Sequence, residues 1–226
     1  MRILLLLIFF AALLPTDASA MSYRYAEQKC RQIYLENPPE IDIKYNYGEL
    51  KYDFSKTRSE LADINKAVLG VEKNNLRGLT SLEPNIKIEG LQLRGEGIDD
   101  AKFCVYPVKI EVFVGLNPII YLENSLEKGS CEYKVTLRHE YTHADIGHTA
   151  FNMLIKALQK QLPGYAAKTG IRVVAPDELD EQAEKLNKDF QNQVLMLWQV
   201  FINTLNQQHE LLDTQENYKR ESSLCR

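Results

Sequence analysis

Along this chain the spacing of apolar positions changes character once. Up to residue 128 they mostly alternate with polar ones in short runs, and beyond residue 129 they recur every three or four positions. A period of two marks a strand with one buried face, and a period near 3.6 marks an amphipathic helix. In the first half, residues 41–47 and 50–54 alternate on either side of Tyr47-Gly48, which predicts a β-hairpin. Residues 86–93, 103–106, 109–114 and 119–122 are β-branched or aromatic runs separated by Gly, Pro, Asn or Asp. Their connections are too short for crossovers, so they predict one mostly antiparallel sheet. Two helical segments accompany them. One covers 23–34 before Pro38-Pro39; the other covers 55–74, opens near Ser55 or Thr57, and spaces Leu61, Ile64, Val68 and Leu69 along one face.

In the second half Ser130 is a good N-cap for a helix. Residues 134–162 then carry Val135, Leu137, Ile146, Phe151, Leu154, Leu158 and Leu162 at helical spacing, and Pro163-Gly164 predicts the end. A loop reaches Pro176, and Asp177 opens a second long helix. Its stripe runs through Leu186, Phe190, Val194, Leu197, Phe201 and Leu205 to His209 and Leu212. The expected fold is α+β: a mostly antiparallel sheet packed on the first long helix, with a second long C-terminal helix against it. One domain is expected over 21–226, with a strand-rich half (21–128) and a helical half (129–226).

Residues 1–20 stand apart from this pattern. Arg2, an apolar run over 3–14 and Ala18-Ser19-Ala20 form a secretory signal peptide, with cleavage predicted after Ala20. A secreted or periplasmic protein is therefore expected. No later stretch suits a bilayer, since the most apolar one, 194–205, is interrupted by Gln199 and Asn203. Stable membrane insertion after cleavage is not expected. The net charge is −4, and there is no basic patch with interleaved aromatics, which removes the electrostatic case for nucleic acid. All four cysteines lie beyond Ala20, and an even number in an exported chain predicts two disulfides. Of the three possible pairings the preferred one is Cys104–Cys131 with Cys30–Cys225. It would clip a strand to the start of the first long helix and join the two termini.

The first long helix contains His139-Glu140-Tyr141-Thr142-His143. Imidazoles four residues apart on a helix project from nearly the same face, one turn above the other, so both reach one metal ion. The glutamate between them can touch a water in an open coordination position, which makes a Zn²⁺ site with a general base. A third protein ligand is required. His148 stands roughly 140° around the helix from His143 and is read as a surface or supporting residue. No glutamate lies about twenty residues beyond the motif, where other HExxH enzymes place one. His209, on an apolar stripe where a histidine must find partners, is taken as the third ligand. Glu210, Asp213 and Glu216 are the fallback ligands.

Residues 129–146 around the motif, and Leu212-Asp-Thr-Gln-Glu-Asn-Tyr218 near the end, resemble a family of bacterial secreted proteins regarded as zinc-dependent proteases of unknown physiological role. The resemblance covers most of the chain loosely, and only the HExxH pentad is specific. It implies a zincin-like fold in which a strand-rich half leads into the motif helix and a second long helix closes the domain. It also implies that Asp213, Glu216 or Tyr218 approaches the site. Members often carry a histidine in the last few residues, where this chain has Leu224 or Cys225, and that departure leaves the third ligand open.

The expected function is a secreted zinc metallopeptidase acting on a peptide or protein substrate. His139, His143 and His209 would hold Zn²⁺, with Glu140 as general base and Tyr218 adding a hydrogen bond to the oxyanion. Asp145 would orient a ligating histidine, and the edge of 109–114 or 119–122 would take the substrate as an added strand. The alternative is a non-catalytic envelope binding or assembly protein of the same shape. In that case the Gln- and Asn-rich face of the C-terminal helix would be the partner surface. A purely structural zinc site is disfavoured by Glu140 and by the lack of a cysteine cage. Oligomeric state is left open.

Overall fold

The structure is a computed structural model that describes residues 18–70 and 76–225. The expected leader falls outside the described residues except for its last three positions. Helix α1 (Ala18–Glu36) leads into strands β1 (Glu40–Tyr47) and β2 (Lys51–Asp53), followed by α2 (Arg58–Leu69). Strands β3 (Gly78–Ser81), β4 (Pro84–Asp99), β5 (Lys102–Leu116) and β6 (Ile119–Leu122) come next. Then follow α3 (Cys131–Thr169), β7 (Arg172–Val174), a 3₁₀ turn at Pro176–Glu178, α4 (Leu179–Leu212), α5 (Gln215–Ser222) and a last 3₁₀ turn, Ser223–Cys225. Thr57 starts α2 with a reciprocal cap. Its hydroxyl accepts from the Glu60 N–H while the Glu60 carboxylate accepts from the Thr57 N–H.

The α+β expectation holds, but the sheets are mixed rather than mostly antiparallel. In the larger sheet β5 is central: β4 pairs with it antiparallel on one side, while β1 (parallel) and β7 (antiparallel) share the other. In the smaller sheet β6 lies between β2, parallel, and β3, antiparallel. The expected hairpin over 41–54 does not form. Instead β1 and β2 run alongside β5 and β6, with both paths jogging together at Gly48 and at Asn117-Pro118. The Gly48 N–H donates to the Leu116 carbonyl (2.9 Å) and the Lys51 N–H to the Pro118 carbonyl (3.1 Å) across that jog. A Cβ on Gly48 would stand 2.6 Å from Asn117 Oδ1, so a larger residue there would have to displace the Asn117 side chain. Alternation around one glycine looks the same whether the chain reverses there or only steps sideways. The runs expected over 103–106 and 109–114 are one strand. It passes through Pro107, where the register with β4 shifts and the neighbour changes from β7 to β1.

Helix α3 spans both sheets. Near its start Ala144 packs with Ile120, Leu122 and Leu126. Farther along, Phe151, Leu154, Ile155, Leu158, Leu162 and Ala166 join the main core with Ile110, Val112 and Val114 of β5. Pro163-Gly164 does not end this helix; Pro163 lies inside it. An internal proline costs roughly 3 kcal/mol. The helix continues because Leu158, Leu162 and Ala166, four apart, are all fully buried, and Tyr165 packs edge-on against Phe190 at 5.1 Å. Helix α4 then runs back along α3, burying Leu186, Phe190, Val194, Leu197, Phe201 and Leu205.

Both disulfides form, between other partners than expected. Cys30 bonds Cys104, fastening α1 to β5, and Cys131 bonds Cys225, fastening the chain end to the start of α3. The return of α4 brings the C-terminal end to α3 rather than to α1, a long-range consequence that cysteine spacing does not carry. Among the described residues no helix is long and apolar enough to cross a membrane. Phe190→Ala is expected to cost about 3–5 kcal/mol in a denaturant melt, whereas Leu195→Ala, on the exposed face of the same helix, should stay within about 0.5 kcal/mol.

Candidate metal centre

His139 and His143 sit one turn apart on α3, and both are buried. Their Nε2 atoms are 3.1 Å from each other, and each lies close to Asp213 Oδ1, at 3.2 and 3.0 Å respectively. Asp213 is the C-cap of α4, so its carboxylate arrives from the far end of the returning helix. Two ligands of one tetrahedral ion, each 2.0–2.1 Å from it, stand about 3.3 Å apart. The three atoms therefore have the spacing of three corners of such a polyhedron, and His139, His143 and Asp213 could hold a metal ion.

The outer nitrogens of the two rings are also engaged. His139 Nδ1 lies 2.9 Å from Glu221 Oε2 on α5, and His143 Nδ1 lies 2.6 Å from His209 Nδ1. An ionised Glu221 only accepts, so a proton on His139 Nδ1 satisfies this pair and would leave Nε2 free for a metal ion. His209 is kept neutral because burial, followed by the neighbouring His143, depresses its pKa to about 4. It can thus accept from His143 Nδ1, an arrangement that would leave the second Nε2 free for a metal ion as well. Burial on its own would lower the His139 pKa, but Asp213, Glu140 and Glu221 together raise it.

Glu140 is buried beside this cluster. Its Oε2 accepts from the Thr80 hydroxyl at 2.8 Å, and the same hydroxyl reaches the Glu140 backbone carbonyl at 2.9 Å. Its pKa is raised by burial, against the opposing pull of His143, His139 and Thr80. Gly78 makes room for it, since a Cβ there would stand 2.5 Å from Glu140 Oε1 and 2.8 Å from Thr136 Cγ2. Tyr218 donates from its hydroxyl to Asp213 Oδ1 at 2.6 Å, and its ring centroid lies 5.0 Å from that of His139. Burial of its hydroxyl end and the adjacent Asp213 carboxylate hold the phenol pKa far above the ordinary tyrosine value. A cavity of about 720 Å³ borders His139, Glu140, Asp213 and Tyr218, with Leu76, Arg77 and Val135 forming part of its walls.

The structure thus brings His139, Glu140, His143 and Tyr218 together. It puts His209, expected as third ligand, against the outer nitrogen of His143, and Asp213 where a third ligand belongs. Glu210 and Glu216 are exposed and outside the group. His148 is exposed, its ring tilted against that of Tyr47 with centroids 4.6 Å apart; Asp145 is exposed and hydrogen-bonds to neither histidine. Glu221, Thr80 and Gly78 gave no sequence signal, because each reaches the site through tertiary contacts.

Two outcomes follow for the purified chain. Stoichiometric metal uptake is expected to vanish in His143→Ala and Asp213→Ala, while His209→Ala should still bind about 10-fold more weakly, as inductively coupled plasma analysis and chelator competition would show. In metal-free protein Glu140→Gln is expected to raise the thermal midpoint at pH 7. A carboxyl whose pKa is raised by folding destabilises the fold above its unfolded pKa, so the gain should fade as pH falls below the ordinary carboxylate range. Comparison of the chain with protein-family models, curated proteins and solved structures gave no match, so its function is argued from this site.

Proposed function

We propose that this chain is an exported zinc-dependent peptidase of the zincin type, with Glu140 as its general base. The observation that carries the reading is the position of Glu140. Its carboxylate lies beside two imidazoles and an aspartate spaced as metal ligands, and it borders a cavity large enough for several side chains. A structural zinc is normally closed by four protein ligands, whereas three are gathered here with the cavity alongside. Zinc suits two imidazoles and one carboxylate, and when bound it would bring the pKa of a water towards 7 and polarise a carbonyl.

The remaining steps belong to the chain itself. Glu140, its Oε2 held by Thr80 and its basicity raised by burial, accepts the proton of the attacking water and passes it to the leaving amine. Tyr218 turns its hydroxyl from Asp213 towards the oxyanion of the adduct. The substrate strand belongs on β3. Of the two edges expected from sequence, 109–114 is interior to the larger sheet between β1 and β4, and 119–122 is interior to the smaller one. Among the described residues β3 pairs with β6 alone, and the segment leading into it, Leu76 to Gly78, lines the cavity. An extended peptide can add to that edge through backbone hydrogen bonds. Two disulfides support export.

Incubating the zinc-loaded protein with an unfolded generic protein tests the reading. Cleavage is expected, with Glu140→Gln reducing it by about 10²–10⁴-fold at unchanged zinc content. Full zinc occupancy with no cleavage by the unsubstituted chain would instead favour a non-catalytic binding protein.

A further inference from the structure

The C-terminal segment has no role in the peptidase scheme beyond Tyr218, yet it closes one side of the site. Helix α5 has eight residues, fewer than an isolated helix needs to persist in water, and Asn217 is its one buried residue. Two tethers hold it. At its start the Asn217 amide donates to the Leu212 carbonyl at 2.9 Å, joining it to the end of α4. At its end the 3₁₀ turn carries Cys225, bonded to Cys131, the first residue of α3. Cys131 precedes His139 by eight residues, about 12 Å along the helix. Between the tethers, Tyr218 and Glu221, three apart, face the same way: one touches Asp213, the other His139. The Glu221 side chain is only 15% exposed, so its bond to the His139 ring is little weakened by solvent.

Resting on the metal-centre reading of His139, His143 and Asp213, we propose that Glu221 is the positioning residue for His139 and that the Cys131–Cys225 disulfide keeps it in place, so that reducing this one disulfide loosens the hold on the metal. The two disulfides differ in access. Cys30 and Cys104 are fully buried, whereas Cys131 is exposed. An external dithiol therefore reaches Cys131–Cys225 first. One of its thiolates attacks a sulfur of the pair and forms a mixed disulfide, releasing the other cysteine. Its second thiol displaces the remaining cysteine. The dithiol leaves as a cyclic disulfide, having given two electrons and two protons to Cys131 and Cys225. The last turn of α5 then loses its anchor, and His139 Nδ1 loses its fixed partner Glu221. Metal loading becomes coupled to the thiol–disulfide state of the surroundings.

The test is a Zn²⁺ titration of the full chain against a competing chelator, with Co²⁺ absorption reporting the ligand set. The oxidised protein is compared with protein mildly reduced by dithiothreitol, alkylated and desalted, with mass spectrometry identifying the capped cysteines. Glu221→Ala should weaken binding by about 10–100-fold, and Glu221→Asp should recover part of the loss. Reduction confined to Cys131 and Cys225 should weaken the unsubstituted protein by about 10-fold. In Glu221→Ala the same reduction should cost nothing more, because the residue it releases is already gone. Equal affinity of Glu221→Ala and the unsubstituted chain would overturn the proposal, as would a full further loss on reducing Glu221→Ala. An oxidised, unsubstituted chain that takes up no metal would overturn the metal centre itself, a different and separable result. Near-UV circular dichroism on each sample confirms that folded molecules are compared.

Discussion

The packing of α4 back along α3 is the constraint on which the site depends. His139 and His143 belong to one helix, but Asp213 lies seventy residues beyond His143 at the end of the other. What sets its position is an apolar seam. Leu186, Phe190, Val194, Leu197, Phe201 and Leu205 recur every three or four residues on α4 and meet the buried face of α3. A slip of one helical turn along that seam would move Asp213 by about 5.4 Å, well outside the range of a shared ion. The side chains that fix this register lie far from the chemistry. Close packing converts their shapes into the position of one oxygen.

The seam also explains why α3 continues past a proline. A helix ended at Pro163 would leave Tyr165 and Ala166 without their places against Phe190 and the core, and α4 would begin its return from a different point. Local chemistry argued for a stop, and burial of a continuous face outweighed it.

Much of the architecture was legible because it rests on periodicity. The α+β character, the long motif-bearing helix and the long C-terminal helix all follow from apolar spacing, and the Ser130 N-cap from local chemistry, while the sequence narrows the start of α2 to Ser55 or Thr57. What failed depended on distant partners. Tyr47-Gly48 reads as a turn, yet the chain steps there from one sheet to the next, because β5 and β6 offer a partner along the whole path. The cysteine pairing followed the return of α4, which no local pattern encodes. At the site, the pair of imidazoles came from spacing alone, while His209 and Asp213, four apart near the end of α4, compete for one face. The apolar stripe singles out the histidine. The atom that meets both inward nitrogens belongs to the aspartate, just past the last helical residue. Glu221 had no periodic signal, since its place follows from a disulfide and a short helix.

Charge is what makes this end of the seam unlike the rest of the core. Glu140, Asp213 and Glu221 gather around two imidazoles whose Nε2 atoms lie 3.1 Å apart, so carboxylates and ring nitrogens meet at close range. Such an arrangement is unfavourable unless a cation or a proton sits among them. The protein partly answers this alone, by raising the pKa of His139 and of Glu140. A divalent ion would answer it better, since it would pair with His139, His143 and Asp213 at once. Because the unfolded chain holds no such constellation, affinity for that ion adds to the stability of the fold. The ordering of α5 around His139 and the binding of a metal there would therefore favour each other. A short helix with one buried residue remains in place through its two tethers, the Asn217 bond to Leu212 and the Cys131–Cys225 disulfide.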